Sequence, residues 1–111
     1  MKIFLSHKMS SLSEEEVLKI REGALEKLKE LYGEVELIEN YYHDNVPANA
    51  GRIWHLGTSI RMMEEADAIC FCKGWEESNG CIIEHKICEL YGLRVLDEID
   101  VDIQQIVSAI V

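Results

Sequence analysis

Ala68, Ile69, Cys70, Phe71 and Cys72 form an unbroken apolar run between Asp67 and Lys73. A strand that alternates polar and apolar residues can leave one face in water. A strand that is apolar throughout must be covered on both faces, and that is the setting of a central strand in a parallel sheet. Parallel neighbours cannot be joined by a tight hairpin. Each needs a crossover of a dozen or more residues, usually a helix.

The rest of the chain supplies such crossovers. Ile3 to Leu5 reads as a first strand. Ser13 followed by Glu16 is a capping box, with Glu14 and Glu15 adding charge suited to a helix N-terminus. Val17, Ile20, Ala24, Leu28 and Leu31 then recur at spacings of three and four, an amphipathic stripe that Gly33 ends. Val35 to Ile38 alternates with glutamates and reads as a second strand. Asn40 to Gly51, with Pro47, reads as a loop. Arg52 to Ala66 follows as a helix with Ile53, Leu56, Ile60 and Met63 on one face, weakened at Gly57. After the 68–72 strand comes a polar turn, Lys73 to Gly80. A helix from Cys81 to Tyr91, stopped by Gly92, then leads to a strand at Leu93 to Leu96 and a last helix at Asp102 to Ile110. The order βαβαβαβα predicts an α/β fold of one domain, residues 1–111. The expected form is a three-layer, doubly wound parallel sheet of four or five strands, Rossmann-like or flavodoxin-like.

Composition narrows the function. Of 111 residues, 48% are hydrophobic, enough for a core in a single domain. Asp and Glu number 21 against 11 Lys and Arg, a net charge of −10. That disfavours a nucleic-acid polymer as partner, which needs a basic surface. It does not disfavour a mononucleotide. No apolar run approaches the ~20 residues of a membrane span, and the N-terminal apolar run is too short for a signal peptide. We expect a cytoplasmic protein without a membrane partner, whose four cysteines are reduced thiols. There is no Gly-x-Ser-x-Gly elbow, no Walker loop and no Gly-x-Gly-x-x-Gly, so no dinucleotide cofactor is expected.

Ligands of open α/β sheets bind where strand ends meet helix starts. At such a junction Glu84 falls in the first turn of a helix by this reading, where backbone N–H groups favour an ionised carboxylate. It suits a nucleophile or a ribose ligand, or merely the helix dipole. Trp75 lies in the turn and reads as a stacking lid for a base, or as a plug between strand and helix. Tyr41, Tyr42, His43, Asp44 and Trp54 form an aromatic and polar cluster around the long loop, and His7 and His55 could orient a substrate. Cys81, His85 and Cys88 share a helix face with the ligand types of zinc, but a fourth ligand is missing, so no metal is expected.

Several of these residues combine into a pattern. A first strand ends in Ser6, a Met9-Ser10 turn follows, then an acidic-capped helix. Later come Ala66-Asp67, an apolar strand, Gly74-Trp75, Gly80-Cys81 and Glu84. The pattern resembles the nucleoside 2-deoxyribosyltransferase-like superfamily, and within it the small bacterial and phage branch of the DUF4406 type. The resemblance covers nearly the whole chain. It implies that Glu84 attacks the anomeric carbon of a nucleoside and that Asp67 holds or protonates the base. It also implies that Ser6, His7, Lys8, Met9 and Ser10 contact the sugar or its 5′-phosphate, with Gly80 and Trp75 beside them, in a homo-oligomer. The chain departs from the resemblance at His7-Lys8, where relatives carry glycine or glutamine and then proline, at Ser11, where they carry glycine, and at His85, where they carry a small residue. A loop poorer in glycine approaches a phosphate less closely.

The expectation is therefore a nucleoside- or nucleotide-handling domain that hydrolyses or transfers an N-glycosidic bond through Glu84, with no cofactor. The alternative is a nucleotide-binding protein without turnover, which sequesters a signal or metabolite.

Overall fold

The computed structural model describes residues 1–41 and 44–101. The helix expected at Asp102 to Ile110, together with Tyr42 and His43, lies outside the described residues. The described chain folds as an α/β unit. Strands β1 (Lys2–Ser6), β2 (Glu36–Leu37) and β3 (Ala68–Phe71) form an open parallel sheet in the order β2-β1-β3. Ile3 pairs with Leu37 on one side, and Ile3 to Ser6 pair with Ala68 to Phe71 on the other. The crossovers are helices α1 (Glu14–Tyr32) and α2 (Arg52–Met62). A third helix, α3 (Asn79–Tyr91), follows β3.

Strand periodicity sorts the core into two layers. Ile3, Leu5, Cys70 and Cys72 face Ile20, Ala24 and Leu28 of α1, along with Leu96, Ile99 and Val101. Phe4, Ile69 and Phe71 point the other way, toward Met63 and toward Cys88 of α3. All four cysteines are free and buried, and Cys70, Cys72 and Cys88 act as small apolar residues in these two layers.

The start of α1 forms both halves of its capping box. Ser13 Oγ accepts from the Glu16 N–H at 3.1 Å, and Glu16 Oε1 accepts from the Ser13 N–H at 3.0 Å. Gly33 ends the helix at φ 83°, a left-handed conformation that favours glycine, with its N–H donated to the Lys29 carbonyl.

Three expectations need correction. The fourth strand is not a regular one: the segment after α3 packs against β3, but its backbone pairing there is limited to the isolated parallel bridges Ile69–Val95 and Cys72–Ile99. The sheet of the described residues therefore has three strands, not four or five. The second helix stops at Met62, and a single 3₁₀ turn, Met63–Glu65, carries the chain to Ala66. Ile53, expected on the buried face of that helix, is 85% exposed. It lies two positions from the Gly51 cap, in the first turn of the helix.

The two isoleucines give a direct test of this packing. Ile20→Ala, in the α1 layer, should cost about 3 kcal/mol in urea unfolding, as large-to-small changes in filled cores do. Ile53→Ala should stay within about 0.5 kcal/mol of the wild type. Equal losses at the two positions would contradict the orientation of these helices.

Candidate functional site

Because the strands are parallel, their C-terminal ends share one edge of the sheet. Out of that edge come the turn after β1, the segment after β2, and the turn between β3 and α3. The chain leaves β1 for β2 and returns past β1 to β3. The crevice outside β1 and β3 is thus where the strand order reverses, the place where open α/β sheets bind ligands. A cavity of about 480 Å³ lies there. His7, Met9 and Ser10 line it from the β1 turn, and Asn40 and Tyr41 from the segment after β2. His55, Leu56 and Ser59 come from α2, and Ser78, Gly80, Cys81 and Glu84 from the start of α3.

Glu84 is the centre of this arrangement. The helix begins at Asn79, with Ser78 as its cap accepting from the Cys81 N–H at 3.4 Å. Glu84 therefore sits in the second turn, not in the first as its spacing suggested. The free N–H groups of the helix start do not hold its charge. Instead it shares a buried stripe with Cys81 and Cys88 and is only 6% exposed. Its one protein hydrogen bond among the described contacts is with Ser6, whose Oγ donates to Glu84 Oε1 at 2.7 Å. Burial pushes the Glu84 carboxyl up to about 7, opposed by the Ser6 hydroxyl, which favours the charged form. The helix start therefore does not favour its ionised form as its spacing suggested; burial disfavours that form and Ser6 alone offsets the cost in part.

His7 is equally buried. Its Nδ1 lies 3.1 Å from the Lys8 carbonyl, and burial lowers its pKa to about 4. Asn40 is 2% exposed; its Nδ2 donates to the Leu5 carbonyl at 3.2 Å, and its own carbonyl accepts from Ser59 Oγ at 3.3 Å. The β1 turn closes with the Leu12 N–H on the Met9 carbonyl and places Ser11 at φ 66°. A serine there carries a strain of about 1 kcal/mol that glycine would not. Behind Tyr41, the Arg21 guanidinium is buried. Its Nη2 donates to the Ile38 carbonyl at 2.6 Å and the group lies 4.9 Å from the centre of the Tyr41 ring.

Of the residues singled out from sequence, the structure brings Ser6, His7, Met9, Ser10, Gly80 and Glu84 together. Lys8 is half-buried and contributes its carbonyl to His7, but its side chain does not line the cavity. Asp67 is elsewhere. It precedes β3, about 13 Å along the strand from the end that meets the cavity. Its carboxylate accepts from the Lys2 N–H at 2.7 Å, tying the opposite edge of the sheet. Trp75 is not a lid. It stacks on His85 at 4.2 Å between ring centres, 5.3 Å from Phe71, and packs against the Phe4 layer. This is the plug between strand and helix. His85 is turned to Trp75 and Glu89, away from the stripe of Cys81 and Cys88. No group of three potential metal ligands converges among the described residues. No helix among them is long and apolar enough to cross a membrane.

Sequence reasoning missed Asn40, Leu56, Ser59 and Ser78 as site residues. Asn40 had a usable signal, since it is the polar residue just past a predicted parallel strand. His55, Leu56 and Ser59 share a helical face by spacing. Nothing in the sequence showed which face met the cavity.

Fold and site together define a small α/β domain with a buried carboxyl in a cavity at the C-terminal edge of a parallel sheet. The family model described as Domain of unknown function (DUF4406) matches residues 1–97, so the chain belongs to that family. No curated protein and no solved structure matches it.

The pH dependence of stability follows from the two buried groups. Between about pH 4.5 and 7 the folded chain keeps a proton on Glu84 that the unfolded chain has released. The stability this contributes is lost as pH rises through that window, about 3 kcal/mol in all. His7 acts oppositely. Between pH 6.5 and about 4 the unfolded chain takes up a proton that the folded imidazole refuses, so stability falls as pH drops. Glu84→Gln removes only the first effect. Relative to wild type, it should gain about 3 kcal/mol of stability between pH 4.5 and pH 8 in denaturant titrations. A stability difference that does not change with pH would show that Glu84 is not protonated on folding.

Proposed function

We propose that this domain binds a nucleoside or nucleotide and cleaves its N-glycosidic bond, with Glu84 as nucleophile. The observation that carries the reading is the buried Glu84 carboxyl, held by Ser6 Oγ at 2.7 Å in the wall of a cavity of about 480 Å³. That volume is within the ordinary range for small-molecule sites and suits a ligand of nucleoside size. The apolar surroundings that raise the carboxyl to about 7 also strip its water, which makes the ionised fraction a stronger nucleophile. The doubly wound, Rossmann-like layout belongs to the same reading. The parallel bridges Ile69–Val95 and Cys72–Ile99 support it, since they lie where a fourth strand would extend the sheet.

In this mechanism the ionised carboxylate attacks C1′ of the sugar. The C1′–N bond breaks, its electron pair leaves with the base, and the base takes up a proton from water. The transition state has oxocarbenium character, and the carboxylate opposite the departing base stabilises it, as in other retaining glycosyl transfers. Water or a second base then attacks C1′ and frees Glu84. Ser6 holds one carboxyl oxygen and fixes the direction of the other. Asp67 has no part in these steps, because it lies at the far edge of the sheet.

Base release from 2′-deoxynucleosides and their 5′-monophosphates tests the reading. Glu84→Gln should lower turnover by roughly a thousandfold or more, as removal of a nucleophile does. Wild-type kcat/KM should rise with pH through about 7 and level off above it, because the ionised form attacks. Mass spectrometry should find a sugar adduct on Glu84. Turnover at the wild-type rate in Glu84→Gln refutes the nucleophile. Tight nucleotide binding by the wild type without any base release replaces this reading with that of a binding protein.

A further inference from the structure

We propose that two copies of this chain associate about a two-fold axis through the face that α2 and α3 present together, with Tyr91 of each copy seated against the groove between those helices in the other. The proposal does not depend on the nucleoside reading.

A helix packed on a sheet buries one apolar stripe and turns polar residues to water on the rest. Helix α3 carries a second apolar stripe. Cys81, Glu84 and Cys88 make the buried one. Ile83, Ile87, Leu90 and Tyr91 follow at steps of four, three and one, along a line roughly 100° around the helix from it. Ile87 is half-buried, but Ile83 is 43% exposed, Leu90 68% and Tyr91 77%. Beside this stripe, a groove of about 580 Å³ lies between α3 and the end of α2. Ile87 and Tyr91 line it from α3, and Ile60 and Met63 from the other side.

Charge points to a second copy as the occupant. The chain carries a net charge of −10, which drives two copies apart over most of their surface. The groove is a gap in that field. Its charged lining residues among those described are Arg61 and Glu64, which cancel. Both are exposed, and neither is in an ion pair among the described residues. Arg61 is in the last turn of α2 and Glu64 in the 3₁₀ turn that follows. A two-fold axis passing between them sets Arg61 of each copy against Glu64 of the other. Exposed pairs of this kind add little affinity, but they fix the register. The same axis brings the two apolar stripes together. Tyrosine, isoleucine and methionine at the centre, with opposite charges at the rim, is the make-up of a protein–protein interface.

The test is analytical ultracentrifugation of the whole chain, from below one micromolar to several hundred micromolar. The species expected at the upper end has twice the 12.7 kDa mass of the chain. Leu90→Glu and Tyr91→Glu should each weaken that dimer by roughly a hundredfold or more, because each places an unpaired charge in the apolar centre. Both positions are exposed in the single chain, so the circular dichroism of the variants should match the wild type. Arg61→Glu and Glu64→Arg should each weaken association as well. An equal mixture of those two variants should associate more tightly than either alone, since every facing pair is then of opposite sign. A mixture no tighter than its parts overturns the two-fold pairing. A monomer throughout overturns the proposal, and so does a dimer that survives Leu90→Glu and Tyr91→Glu, which is held by another face. Hydroxyl-radical footprinting of the wild type decides if the variants do not fold. Tyr91 should be open in the dilute monomer and shielded in the dimer. Equal reactivity in both overturns the proposal. Shielding already present in the monomer means that the chain's own residues, 102–111 among them, fill the groove, and the proposal falls.

Discussion

The hydrogen bond from Ser6 Oγ to Glu84 Oε1 joins the end of the first strand to the second turn of α3 across 78 residues of sequence. It ties down the one carboxyl among the described residues of the cavity wall. A carboxyl placed on an apolar helix stripe has two ways to exist: it gives up its charge or it finds a donor. Here it does some of each. Ser6 is fixed by its place in the central strand, and Glu84 by the stripe of Cys81 and Cys88, so the two meet with little freedom. The direction of the carboxyl, and with it the shape of the cavity wall, follows from that meeting.

Unfavourable terms gather on the same edge. Glu84 is desolvated, the His7 imidazole is held neutral, Asn40 Oδ1 lacks a partner and Ser11 is in a left-handed conformation. Below them, the two core layers are built from apolar side chains in strand alternation, with α1 capped at both ends. A fold that concentrates its strain and its orphaned polar atoms at one cavity is consistent with the ligand-binding role proposed above. Opposing pH effects of Glu84 and His7 also balance near mildly acidic pH, so the chain tolerates both buried groups without one dominating its stability.

Much of the fold was legible because local rules sufficed. Ser13 and Glu16 announced the start of α1, Gly33 its end, and the apolar 68–72 run a parallel strand buried on both faces, although β1 and not β3 is the central strand of the three. The β1 turn and the β3–α3 turn open on one edge, as the switch-point rule requires. What was not legible depended on tertiary distances. The segment 93–96 has strand-like residues, but it forms only the one bridge at Val95, because pairing depends on context as well as propensity. Asp67 is one strand length from Glu84, and a linear motif does not show that the two lie at opposite edges. Trp75 is close to Glu84 in sequence, yet the 3₁₀ turn at Trp75–Glu77 delivers its ring to Phe71 and His85 instead. Glu84 itself was identified for a reason the structure replaces: its importance comes from burial in the second turn, not from the charge of the helix start.

The central claim is that Glu84 is a buried carboxyl titrating near neutrality under the control of Ser6. Carbon-13 NMR of the glutamate side-chain carboxyls, followed from pH 3 to 9 in the folded chain, tests it most directly. Assignment of Glu84 comes from the signal that disappears in Glu84→Gln. The account predicts a midpoint at about 7, and a higher one in Ser6→Ala, where the donor that favours the ionised form is gone. A midpoint near 4.5, unchanged by Ser6→Ala, would contradict it.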